Sequence, residues 1–156
     1  MKRKIAGVMG PGDMATDENI ELAFEVGKLL ADLGYDTLTG GRNCGVMEAA
    51  MKGAKSVGGQ TIGILPSAND DEISTFADIQ IKTGMGQGRN VINILSSDVI
   101  IAIGMGPGTS SEISMAIKHG KKVILLSQSE HARNFFTELS DKVILCSNLK
   151  ELQISL

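Results

Sequence analysis

The chain has 156 residues, 42% hydrophobic and 21% charged, with a net charge of −3, which fits one globular domain over residues 1–156 and excludes a broad electrostatic footprint for nucleic acid. One Tyr and four Phe offer few stacking platforms, so DNA handling is disfavoured, and any phosphate must be met locally. Two cysteines and two histidines without ligand spacing predict neither a disulfide framework nor a metal site.

Near the N-terminus, Lys2-Arg3-Lys4 precedes only a short apolar stretch that breaks at Gly10-Pro11-Gly12, unlike a secretory leader. The longest apolar runs are strand-length, too short to cross a bilayer. A cytoplasmic protein without membrane partners is expected. In chain order, short Val/Ile-rich runs predict seven strands: Lys4 to Met9, Asp36 to Thr39, Gln60 to Leu65, Ile79 to Lys82, Val99 to Ile103, Lys122 to Leu126 and Val143 to Cys146. Helical spacing predicts helices over Asp17 to Leu33, Val46 to Val57, Asn90 to Ser97 and Thr109 to His119, three of them closed by glycine (Gly34, Gly58-Gly59, Gly120). This alternation predicts an α/β, Rossmann-like parallel sheet of about seven strands with helices on both faces. Val99 to Ile103 is apolar throughout, as an inner strand covered on both faces requires. The first helix carries Ile20, Phe24 and Leu30 on one side and Leu22, Val26, Leu29 and Leu33 on another. That width predicts a homodimer or higher homo-oligomer.

Glycine is concentrated where strands end: Gly10-Pro11-Gly12, Gly40-Gly41 with Gly45, Gly84 to Gly88, and Gly104 to Gly108. In an open parallel sheet these ends share one edge, where ligands bind at a topological switch point. Glycine lets the backbone approach a phosphate, and a following helix presents unpaired N–H groups. Gly106-Pro107-Gly108-Thr109-Ser110-Ser111-Glu112 is the most informative stretch: its N–H groups and the Thr109 hydroxyl suit a phosphate, and Glu112 is expected in the first helical turn. Arg89 has the planar fork that holds a phosphate or sugar oxygen, and Arg42 is a second candidate phosphate partner. Cys44, beside Arg42, is expected to be an ordinary thiol.

The order Gly40-Gly41, Gly45-Val46-Met47, Arg89 and Gly106 to Glu112 resembles the LOG family, once called lysine-decarboxylase-like, and its relatives the molybdenum cofactor carrier proteins, over about Ile5 to Leu126. The resemblance implies a Rossmann-like fold, commonly dimeric, that holds the phosphate of a nucleoside 5′-monophosphate on Gly106, Gly108 and Thr109. In the enzymatic members, the positions of Arg89 and Glu112 act in cleaving the base from ribose 5-phosphate. Gly10, Gly40, Gly41 and Arg42 complete the expected ligand-binding set. Two departures stand out: Met105 replaces a glycine of the enzyme motif, and Asn90 replaces its lysine. Asn90 followed by Asn93 looks more like the carrier branch. The leading expectation is a phosphoribohydrolase acting on an AMP-like nucleotide and requiring no cofactor. The alternative is a non-catalytic carrier of molybdenum cofactor, a phosphorylated pterin.

Overall fold

The computed structural model describes residues 3–156. Lys2, part of the basic run, lies outside the described residues. The elements follow in the order β1 (Ile5–Met9), α1 (Asp17–Asp32), β2 (Asp36–Thr39), α2 (Gly45–Ser56), β3 (Thr61–Leu65), β4 (Ile79–Lys82), a 3-10 turn (Gly86–Arg89), α3 (Asn90–Ser96), β5 (Val99–Ile103), α4 (Pro107–Lys118), β6 (Lys122–Leu126), α5 (Glu130–Leu139), β7 (Val143–Cys146) and α6 (Leu149–Ser155). The seven strands are parallel, in the order β4-β3-β2-β1-β5-β6-β7. The Rossmann-like expectation is borne out. The order reverses between β1 and β5, which makes their C-terminal ends the switch point.

β5 shows why helices lie on both faces. Its residues are buried in alternation, Val99, Ile101 and Ile103 in one core and Ile100 and Ala102 in the other. The first core joins the sheet to α1, α2 and α6 through Val26, Leu30, Val46 and Leu152. The second joins it to α3, α4 and α5 through Ile94, Ile113 and Phe136. β4 is an edge strand with all four residues exposed. No helix among the described residues is long and apolar enough to cross a membrane.

α1 begins at a reciprocal cap in which the Thr16 side chain accepts from the Asn19 amide and Asn19 accepts from the Thr16 amide. It then crosses α2 at very short range. A Cβ on Gly27 would overlap the Ala50 carbonyl oxygen, and one on Gly53 would overlap the Phe24 carbonyl oxygen. Each helix therefore supplies a glycine at the point where the other's backbone passes. The apolar width of α1 is thus largely occupied within the chain: Val26 and Leu30 are fully buried, and Leu22, Phe24 and Leu29 pack on the same core, which leaves Ile20 and Leu33 exposed. Replacing Gly53 by alanine is expected to lower stability by about 2 kcal/mol, because overpacking against backbone outweighs the roughly 1 kcal/mol gained in helix propensity. Urea denaturation monitored by circular dichroism measures the difference.

Two helices escape the periodicity reading. α5 and α6 are short and amphipathic, and their starts are fixed by Ser129, which accepts from the Ala132 amide, and Asn148, which accepts from the Glu151 amide. α4 starts at Pro107, ahead of the expected Thr109, since proline suits a first helical position. This shift corrects the place of Glu112, which lies beyond the first turn and faces inward.

Candidate functional site

The loops after β1, β2, β4 and β5 close around one cavity of about 210 Å³, whose lining includes Met9, Gly10, Asp13, Gly40, Arg42, Met47, Arg89, Gly106, Gly108, Thr109 and Glu112. Of the nine expected site residues, only Gly41 is absent from the wall. Its φ of +77° and its approach to Gly63 assign it to a turn against β3.

The other glycines divide by what surrounds them. A Cβ on Gly10 would lie 2.5 Å from the Ile103 carbonyl oxygen and 2.7 Å from the Val46 methyls, so Gly10 permits the close approach of β1, β5 and α2. Gly45 has a φ of +55°, and a Cβ there would overlap the carbonyl oxygens of Pro11 and Gly12. With Val46 N donating to Pro11 O at 3.0 Å, it fastens the start of α2 to the β1 loop. A Cβ on Gly40 would meet the Arg89 guanidinium at 2.6 Å and Met47 Sδ at 2.8 Å, so Gly40 makes room for the arginine. At Gly106 and Gly108 a Cβ would meet nothing within 4 Å. Packing does not demand glycine there, and the space above them is open. Pro107 has no N–H, and the unpaired first-turn amides of α4 face this space with the positive end of the helix dipole.

Arg89 is 5% exposed and so differs from a surface cation. Its Nε donates to Ile64 O at 2.8 Å, Nη2 donates to Gly40 O at 3.4 Å, and Nη1 donates to Asn90 Oδ1. Among the described residues no carboxylate pairs with it. Burial pulls its pKa below the ordinary value; Glu112 acts against this and Arg42 acts with it. The guanidinium thus keeps a positive charge inside a cavity wall without a neutralising neighbour, an arrangement that favours an incoming anion.

Arg42 contrasts with it at the same cavity. Its Nε lies 3.1 Å from Glu72 and its Nη2 3.5 Å from Asp13. Burial opposes its charge, but the hydrogen bond to Glu72 and the charges of Cys44, Glu72 and Asp13 outweigh this and raise its pKa. Arg42 is therefore already satisfied by protein carboxylates. Beside it, burial pushes the Cys44 thiol up, as befits an unreactive cysteine.

Glu112 is 7% exposed. Its Oε1 accepts from Asn93 Nδ2 at 3.2 Å, and Asn93 Oδ1 is buried without a partner. Burial pushes the Glu112 carboxyl up to about 7, against the pull of the Asn93 hydrogen bond and the Arg89 charge. Thr109 is buried at the same wall. The residues that sequence reasoning left without a role are Asn93, Asn90, Met9, Met47 and Asp13. The spacing of Asn90 and Asn93 was the available signal, since positions three apart share a helix face.

A seven-stranded parallel sheet whose glycine-rich loops meet around a cavity at its switch point defines the class: an α/β protein of Rossmann-like fold. The chain belongs to the SLOG cluster4 family, whose profile matches residues 3–153. It is similar to the solved molybdenum cofactor binding protein of Rippkaea orientalis, with 48% identity, a TM-score of 0.94 and coverage of 97% of this chain and 94% of that one. It is similar also to the molybdenum cofactor carrier protein of Chlamydomonas reinhardtii, with 44% identity, a TM-score of 0.93 and coverage of 99% and 96%. A cytokinin riboside 5′-monophosphate phosphoribohydrolase of Mycobacterium tuberculosis is 33% identical over 98 residues, 62% of this chain and 52% of that enzyme. The resemblance to the LOG family and its carrier relatives is borne out, and the carrier side is the nearer one.

Proposed function

We propose that the protein is a non-catalytic carrier of molybdenum cofactor, held as cargo through its phosphate and its pterin ring. The observation that carries this reading is the pair of asparagines on α3. Asn90 accepts from Arg89 and Asn93 donates to Glu112, so Arg89 and Glu112 are engaged by neutral amides, one of them at the position where the enzyme motif has a lysine. With its carboxyl raised to about 7, Glu112 is less fully ionised near neutral pH than an ordinary glutamate and so less able to stabilise the cationic sugar of N-glycosidic cleavage. The similarity to carrier proteins over nearly the whole chain supports the same reading.

The residues fit such a cargo. The unneutralised Arg89 and the α4 amides at Gly108 and Thr109 offer charge and donors to a phosphate. Met9 and Met47 supply polarisable, adaptable walls for a flat heterocycle. Association into a homodimer belongs to the same proposal, with Ile20 and Leu33 as the apolar residues that α1 leaves exposed.

Mass spectrometry of small molecules released from the purified protein is expected to detect a phosphorylated pterin, and long incubation with AMP is expected to release no adenine by chromatography. Adenine appearing with wild-type protein and not with Glu112→Gln would restore the hydrolase reading.

A further inference from the structure

We infer that Glu112 binds the ligand as a neutral acid, donating a hydrogen bond to its anionic part, so that the ligand enters together with a proton and is weakened when that proton leaves. This rests on the reading that a phosphorylated ligand occupies the cavity.

The geometry leads there in three steps. Glu112 is buried in the cavity wall, and one oxygen is engaged by Asn93 while no donor among the described residues reaches the other. No cation lies within ion-pair distance of it among the described residues. The charged groups facing it across the cavity are Arg89 from the 3-10 turn, Arg42 from the loop after β2 and Asp13 from the loop after β1; α3 contributes the neutral Asn90 and Asn93, and β1 contributes Met9. Arg42 is engaged by Asp13 and Glu72, which leaves Arg89 as the cation of this wall without a carboxylate partner.

An ionised Glu112 would cancel Arg89 and repel an anion. A protonated Glu112 leaves the Arg89 charge uncancelled and adds an O–H donor to the Arg89 fork and the α4 amides. The elevated pKa of Glu112 is in accord with this assignment. An anion beside the carboxyl raises that pKa further, so the complex binds a proton more tightly than the free protein does. The sign follows by linkage: affinity is highest below pH 7 and falls as pH rises through and above 7, by up to about tenfold per unit for one coupled proton. No bond is made or broken; the proton comes from solvent and returns to it.

The test is calorimetric titration of wild type and Glu112→Gln with 6-hydroxymethylpterin monophosphate from pH 5.5 to 8.5, in buffers of different ionisation enthalpy. The phosphate of the probe titrates near 6 and affects both proteins equally, so the difference between them is read. Wild type is expected to take up nearly one more proton than Glu112→Gln at pH 8 and to lose about fivefold more affinity between pH 7 and 8. A second measurement does not depend on the variant: the Glu112 carboxyl, followed by carbon-13 NMR, should titrate near 7 in the free protein and higher with the probe. Binding with the same pH profile in both proteins, or a Glu112 that titrates near 4.5, overturns the proton coupling and leaves the carrier reading standing. Absence of binding by wild type at every pH overturns the ligand reading and this inference with it.

Discussion

Replacing Arg89 by alanine is expected to weaken binding of a phosphorylated pterin by a hundredfold or more while leaving the fold in place. The guanidinium is the unneutralised cation of the cavity, and a phosphate paired with its fork gains charge-assisted hydrogen bonds worth about 1.5–3 kcal/mol each. Two such bonds amount to about 3–6 kcal/mol, or about two to four orders of magnitude in Kd. In the unliganded protein the terms offset each other. Truncation strips the carbonyls of Ile64 and Gly40 of a donor, yet it also removes a charge that burial disfavours. Calorimetry against thermal denaturation separates the two effects. Arg89→Lys should fall between, since it keeps the charge and loses the planar fork. A thermal midpoint lowered as severely as the affinity would assign Arg89 a structural role instead.

Replacing Glu112 by glutamine is expected to change how stability depends on pH. Burial raises the carboxyl from its ordinary 4.5 to about 7, so the folded state binds a proton there more tightly than the unfolded state does. Stability from this group is therefore fully present below pH 4.5, falls as pH rises from 4.5 to 7, and stays low above that. The shift corresponds to about 3 kcal/mol. Glutamine keeps the acceptor for Asn93 and never ionises, so the variant should lack this decline and unfold at higher denaturant than wild type at pH 8. Urea midpoints at pH 5 and pH 8 for both proteins give the answer; parallel behaviour would mean that Glu112 ionises without penalty.

The architecture was legible because it follows from short-range rules. Val99 to Ile103 could be placed mid-sheet because five consecutive apolar residues need two covers, and Gly34, Gly58 and Gly120 mark helix ends through their left-handed φ. The site was legible as a set of loops because parallel strands deliver their C-terminal ends to one edge. What the residues did there was not legible. Glu112 reads as a first-turn acid only if α4 starts at Thr109; the start at Pro107 turns it inward and removes it from water. Arg89 reads as a phosphate or sugar partner, but its burial is not legible until the missing Cβ of Gly40, 49 positions away in sequence, is seen to make its pocket. Likewise Arg42, the second candidate for phosphate, is balanced by Asp13 and Glu72 from two other loops. Such pairings are set by tertiary neighbours, which periodicity does not encode.

The attachment of the β1 loop to the start of α2 bears on how a ligand is met. Glycine-rich segments ordinarily sample many conformations, and ordering them on binding opposes association. Here Gly45 is seated under the Pro11 and Gly12 carbonyls and Val46 N is bonded to Pro11 O, so much of that ordering is completed when the chain folds. The entropy loss is shifted from a binding step to the folding step, and a ligand of the proposed kind would meet a scaffold already in its receiving shape.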